Sequence, residues 1–172
     1  MTPSVHLRPA IEADFAAIWP IFQAVVATGT TYVFAADTPE ADAFAYWFGL
    51  GVRTRVAEVD GRIRGMYKIV ANQRDLGSHV ANASFMVAPD GAGRGIGRAM
   101  GEDCLRQARA LGFRAVQFNF VVSTNRPAVD LWQSLGFAIV GTLPGAFHHR
   151  SLGYVDAYVM FRTLDDIEPA AE

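Results

Sequence analysis

Phe85-Met86-Val87-Ala88-Pro89-Asp90-Gly91-Ala92-Gly93-Arg94-Gly95-Ile96-Gly97-Arg98 is the stretch on which the fold turns. An apolar run ends at Pro89, which breaks a strand ladder. A glycine-rich turn follows, and a helical pattern begins at Ile96, with Ile96, Met100, Cys104 and Ala108 on one face. Glycines let backbone N–H groups approach an anion closely. A helix N-terminus adds a partial positive charge, and Arg94 and Arg98 supply mobile cations. Strand, turn and helix together read as a pyrophosphate cradle, the alternative being an ordinary glycine-rich turn.

Periodicity and chain breakers organise the remainder. Outward from the cradle, the pattern predicts strands over 5–8, 52–59, 62–70, 81–88, 115–122, 137–142 and 155–162. It predicts helices over 12–26, 39–48, 96–111 and 127–135. Asp60-Gly61 marks a hairpin between the second and third strands. Pro20 is expected to kink or interrupt the first helix. Residues 29–34, and the stretch with His148 and His149, read as loops. The order β α α β β β α β α β β is a mixed α/β arrangement, not a regular βαβ array. Residues 1–164 read as one domain, and residues 165–172 as a short, frayed acidic tail.

Composition narrows the function classes. The chain has 172 residues, 51% of them hydrophobic, and a net charge of −2. That is enough apolar material for a full core. The balance argues against a general nucleic-acid or membrane-surface binder, which usually carries a basic field. The single cysteine, Cys104, excludes an internal disulfide and a cysteine-based zinc cluster. No metal is expected, and the cysteine usage fits a reducing cytoplasm. The start, Met1 to Ile11, lacks a signal-peptide pattern, and no apolar run is long enough for a membrane helix.

Two known cradles do not fit. A P-loop requires Gly-Lys-Ser/Thr. A dinucleotide fingerprint, Gly-x-Gly-x-x-Gly, fails from Gly91, Gly93 and Gly95, whose last positions hold Ile96, Arg98 and Met100. Ala92-Gly93-Arg94-Gly95-Ile96-Gly97 instead resembles the (Arg/Gln)-x-x-Gly-x-(Gly/Ala) turn of the GNAT-type N-acetyltransferases, with Ala92 in place of the usual first residue. Asn125-Arg126-Pro127-Ala128, running on through Leu131-Trp132 to Gly136-Phe137, resembles that family's second signature. The resemblance spans Leu7 to Leu164.

It implies a GNAT fold: a mixed, mostly antiparallel sheet, splayed at the cofactor strand near Val87, with helices on both faces. It implies acetyl-CoA as co-substrate. The cofactor would be held by Phe85, Met86, Val87, Gly93, Arg94, Gly95, Ile96, Gly97, Arg98 and Asn125. It further implies a cytoplasmic homodimer acting on a small-molecule amine by direct attack, with no covalent acetyl-enzyme.

Two family residues are replaced. Trp132 stands where many relatives have a Tyr acid, and an indole N–H is not a proton-transferring acid at neutral pH. Asn82 stands where many have a Glu base. With Asn119 and Trp132, this looks like the proline-analogue acetyltransferases, which act on azetidine-2-carboxylate. In that resemblance Asn82 and Asn119 face the acceptor and serve as the catalytic pair. For each, the alternative is an ordinary hydrogen-bonded strand residue. The stretch from Gly145 to Ala157 resembles the phosphinothricin-type acetyltransferases, so a small amino acid is the expected acceptor in both cases. Thr31, Tyr32 and His79 complete the expected acceptor contacts, His79 being either a base through water or a surface residue. The competing expectations are a non-catalytic CoA-binding or regulatory module, motivated by the two replacements, and an acetyltransferase for a different small amine.

Overall fold

A computed structural model describes residues 4–171 of the chain. The elements are β1 (His6–Pro9), α1 (Phe15–Val26), α2 (Glu40–Phe48), β2 (Arg53–Val59), β3 (Arg62–Ala71), β4 (Val80–Val87), α3 (Ile96–Ala110), β5 (Ala115–Val122), α4 (Arg126–Ser134), β6 (Ala138–His149) and β7 (Gly153–Thr163). Apart from short 3-10 turns, this is the order read from the sequence.

The strands form one seven-stranded sheet in the order β1-β2-β3-β4-β5-β7-β6. Every neighbouring pair is antiparallel except β4 and β5. Asp60 and Gly61 turn the β2–β3 hairpin with φ of 51° and 70°, the left-handed pair a type I′ turn requires.

Helices cover both faces. Ile18 and Phe22 of α1 and Trp47 of α2 pack on Val56, Met66 and Met86. Met100, Cys104 and Ala108 of α3 and Trp132 of α4 pack on Tyr67, Ala83 and Phe118 of the opposite face. Alternation along β4 therefore sends Met86 to the α1/α2 side and Phe85 to the α3/α4 side.

The β4–β5 junction positions the site. The two strands pair only through Val80 with Ala115 and Ala81 with Val116. From Asn82 onward they diverge, so the splay begins five residues before Val87, the position expected from the sequence. On its other edge, β5 has a bulge between Phe118 and Val121 in its pairing with β7.

Several local expectations change. The helix from residue 12 opens instead as a 3-10 turn, Glu12–Asp14, before α1. α1 runs unbroken through Pro20. Pro20 and Ala16 are both exposed, so the carbonyl that loses its partner faces water. His148 and His149 are strand residues, because β6 extends to His149 and pairs with β7 through two irregularities. The acidic tail is tied down: Arg162 pairs with Asp166 at 3.0 Å, the Ala170 N–H donates to the Arg106 carbonyl at 3.1 Å, and Ile167 packs on the core.

Candidate active site

The gap between β4 and β5 opens into a cleft of about 240 Å³. Asn82, Ser84 and Phe85 of β4 form one wall, and Phe118 and Asn119 of β5 the other. Thr31 and Tyr32 of the loop after α1 close it from above. Tyr46 of α2, and Asn125 and Trp132 of α4, complete the lining. Among the described residues, no charged side chain lines the cleft.

The backbone of β4 explains how the gap can bind an amide-bearing ligand. The Ala88 N–H donates to the Arg64 carbonyl of β3 at 2.8 Å. Alternation then turns the polar groups of Met86 toward β3, and those of Phe85 and Val87 toward the gap. Tyr32 meets the Phe85 pair directly: its Oη donates to the carbonyl at 2.6 Å and accepts from the N–H at 3.0 Å. Burial pushes the Tyr32 phenol well above its ordinary pKa, so it remains a neutral donor. Val87 leaves its N–H and C=O facing the gap, an edge suited to strand-like pairing with a pantetheine arm.

The cradle has the geometry read from the sequence. Gly93 and Gly95 have φ of 76° and 75°, values that side-chain-bearing residues adopt at a cost. A Cβ at either position would meet nothing within 4 Å, so the space in front of the turn is open. Gly95 is the N-cap of α3, with no side-chain cap. The Ala99 N–H donates to the Gly95 carbonyl, so the N–H groups of Ile96, Gly97 and Arg98 lack intrahelical acceptors and face outward. Arg94 is exposed. Arg98 donates to Ser134 Oγ at 2.7 Å, which holds it against the C-terminal end of α4. These residues fit a pyrophosphate.

Asn82 and Asn119 both line the cleft. Asn82 shares the α1/α2 face with Ser84 and Met86, as alternation predicts, and its side chain has no hydrogen-bond partner among the described residues. Asn119 lies in an amide row: Gln117 Nε2 donates to its Oδ1 at 2.9 Å, and its Nδ2 donates to Asn72 Oδ1 at 2.7 Å. The β5 bulge breaks the expected alternation, leaving Asn119 exposed while Val121 enters the core. Asn125 caps α4 through its backbone carbonyl, which accepts from Ala128 and Val129. Trp132 lies in an aromatic cluster, tilted against its neighbours, with ring centroids 4.6 Å from Phe85 and 4.8 Å from Phe118.

Two sequence expectations are corrected. His79 does not reach the cleft. It is exposed at the closed end of the gap, where its carbonyl accepts from Arg114 N–H. Met86 offers the gap nothing: its side chain is buried under α1 and its backbone faces β3. Ile96 keeps its place in the cradle through its backbone N–H, while its side chain lies in the core. Sequence reasoning missed Tyr46 and Ser84, whose hydroxyls are 2.6 Å apart in the cleft wall. Nothing in the sequence ties α2 to β4. Cys104 is 1% exposed and its thiol is pushed up by burial, which leaves it no role as a nucleophile.

A splayed parallel pair beside a glycine turn and a helix N-terminus suits a cofactor that carries both amides and a pyrophosphate. Comparison with known proteins agrees. Residues 16–137 match the acetyltransferase (GNAT) family model, and the chain belongs to this family. It is similar to N-acetyltransferase aca1 of Schizosaccharomyces pombe, 35% identical over 106 residues, which cover 59% of this chain and 51% of that protein. It therefore spans about half the length of that relative. It is also similar to the L-amino acid N-acyltransferase MnaT of Escherichia coli, 31% identical over 81% of this chain and 83% of that one. Among solved structures, a GCN5-related N-acetyltransferase from Kribbella flavida superposes with a TM-score of 0.88, 45% identity, and coverage of 92% and 97% of the two chains. The structure of yncA from Salmonella typhimurium with its cofactor acetyl-CoA superposes with a TM-score of 0.82, 25% identity and 98% coverage of both.

Proposed function

We propose that this GNAT acetyltransferase moves the acetyl group of acetyl-CoA onto the amine of a small amino acid or amino-acid analogue. Attack is direct, within a ternary complex. The observation that carries the reading is the cleft itself: the β4–β5 gap that suits the cofactor opens onto the amides of Asn82 and Asn119. The acyl donor named with yncA and the L-amino acid substrate named with MnaT support donor and acceptor class.

The chain's contribution is mainly binding and orientation. Val87 and the N–H groups at the start of α3 hold the donor. Thr31, Tyr32, Asn82 and Asn119 hold the acceptor so that its neutral amine faces the thioester carbon. Formation of the N–C bond breaks the C–S bond, and the proton lost by the amine returns to the thiolate through solvent in the cleft. Neither asparagine is a base, so the rate comes chiefly from positioning. The exposed Ile139, Val140 and Leu143 on edge strand β6 support a homodimer. The single buried cysteine is consistent with work in the cytoplasm.

A screen of amino acids with acetyl-CoA, reading free thiol release, tests this. Turnover of at least one small amino acid is the expected result. Tight CoA binding with no amino-acid turnover would contradict it and leave a CoA-binding module.

A further inference from the structure

Lys68 of β3 is 8% exposed and has no carboxylate partner among the described residues. Its Nζ donates to the backbone carbonyl of Tyr46 at 2.7 Å and lies 3.1 Å from the centroid of the Tyr46 ring. An ammonium group has three donors, and burying one without a counter-ion is unfavourable. Burial alone brings its pKa down to about 8. Met66, Met86 and Trp47 lie on the same side of the sheet, and the polar neighbours, Thr54 and Ser84 as register partners and Tyr46, are all uncharged.

The cation has a direct connection to the cleft. The Tyr46 ring on which it rests sends its Oη to Ser84 Oγ at 2.6 Å. Ser84 is also the register partner of Lys68 across β3 and β4, as Asn82 is of Val70. Tyr46, Ser84 and Asn82 all line the cleft. Lys68 thus stands one side chain behind the wall that carries Asn82. Because no charged side chain among the described residues lines the cleft, no neighbouring charge cancels its field there, and across the short distance to the wall that field is only partly screened.

We infer that Lys68 is the specificity-determining cation of the acceptor cleft, selecting amines that carry a carboxylate and drawing that carboxylate to the Asn82–Ser84–Tyr46 wall. The inference rests on the amino-acid reading above and deepens it. Lys68 is a positioning residue: it acts through Tyr46 and Ser84 and does not touch the reacting atoms.

The test uses the full chain, the fastest amino acid from the screen and the carboxamide of that amino acid. Wild type, Lys68→Met and Lys68→Arg are compared by kcat/KM for the two acceptors, with acetyl-CoA affinity as a control. Wild type should prefer the acid. Lys68→Met should cut the acid-to-amide ratio at least tenfold, mainly by raising KM for the acid, and Lys68→Arg should keep the ratio within about threefold. A purely structural role would slow both acceptors alike, and an unchanged ratio in Lys68→Met overturns the inference.

Should Lys68→Met fail to fold, the wild-type ratio at pH 7 and pH 9.5, counted on neutral amine, decides the matter. The phenols beside the ammonium, Tyr46 from α2 and its neighbour Tyr32, are both held neutral by burial. The ratio should fall as Lys68 loses its proton, and a flat ratio overturns the inference. If wild type acetylates no amino acid, the acceptor reading itself fails. If it does and the ratio is insensitive to Lys68, only this inference fails.

Discussion

The hydroxyl of Tyr32 holds both backbone polar groups of Phe85, at 2.6 Å to the carbonyl and 3.0 Å from the N–H. A loop residue thereby occupies the one β4 position in the gap whose side chain packs on Trp132. The Val87 pair stays open beside it. Tyr32→Phe should leave the Phe85 groups unpaired and cost about 1–3 kcal/mol of stability. Acetyl-CoA affinity should change by less than about threefold, because Val87 and the cradle are untouched. Urea unfolding and calorimetric titration check the two parts.

Gly97→Asp separates cradle from fold. A Cβ at Gly97 would meet only Leu131, at 3.4 Å, and an acidic residue in the first turn of a helix is favourable. The variant should therefore melt within a few degrees of wild type. Its carboxylate, however, sits among the N–H groups that face the pyrophosphate. CoA affinity should fall by a hundredfold or more, roughly 2.8 kcal/mol or above at about 1.4 kcal/mol per tenfold. Unchanged affinity by calorimetry would refute the cradle assignment.

Lys68 imposes a pH dependence on stability. Its folded pKa of about 8 lies below its ordinary 10.5. Below pH 8 both folded and unfolded chains carry the proton, and the folded state bears the cost of burying it. Between pH 8 and 10.5 the unfolded chain binds more protons, so stability rises with pH. Urea unfolding at pH 7.5 and 10 should show that rise in wild type, and Lys68→Met should lack it.

Cys104→Ala should keep acetylation within a few-fold of wild type while losing on the order of 1 kcal/mol of stability. The thiol is enclosed and lies on the α3 face that packs against Tyr67 and Val116. A folded but inactive variant would contradict direct transfer.

The elements legible in the sequence were those with local causes. The Asp60-Gly61 hairpin, the glycine turn and the apolar face of α3 follow from neighbouring residues, and the structure has all three. The splay was legible only through family resemblance, and its onset at Asn82 depends on where β4 and β5 part. Tyr46 and Lys68 were not legible. Their roles arise because α2 folds over β3 and β4, a contact that no local periodicity encodes. His79 misled because its neighbours match the family pattern, while its own position falls at the paired end of the gap. Pro20 misled because the usual cost of an internal proline is small where the orphaned carbonyl meets water.

The central claim is that Asn82 and Asn119 hold the acceptor. An amide bonded to a charged group contributes about 1.5–3 kcal/mol, so losing either should lower kcat/KM about ten- to a hundredfold. The most direct measurement is kcat/KM of Asn82→Ala and Asn119→Ala with the best amino acid, alongside their acetyl-CoA affinity. The account predicts that large loss in both variants with cofactor affinity intact. Wild-type rates in both would contradict it.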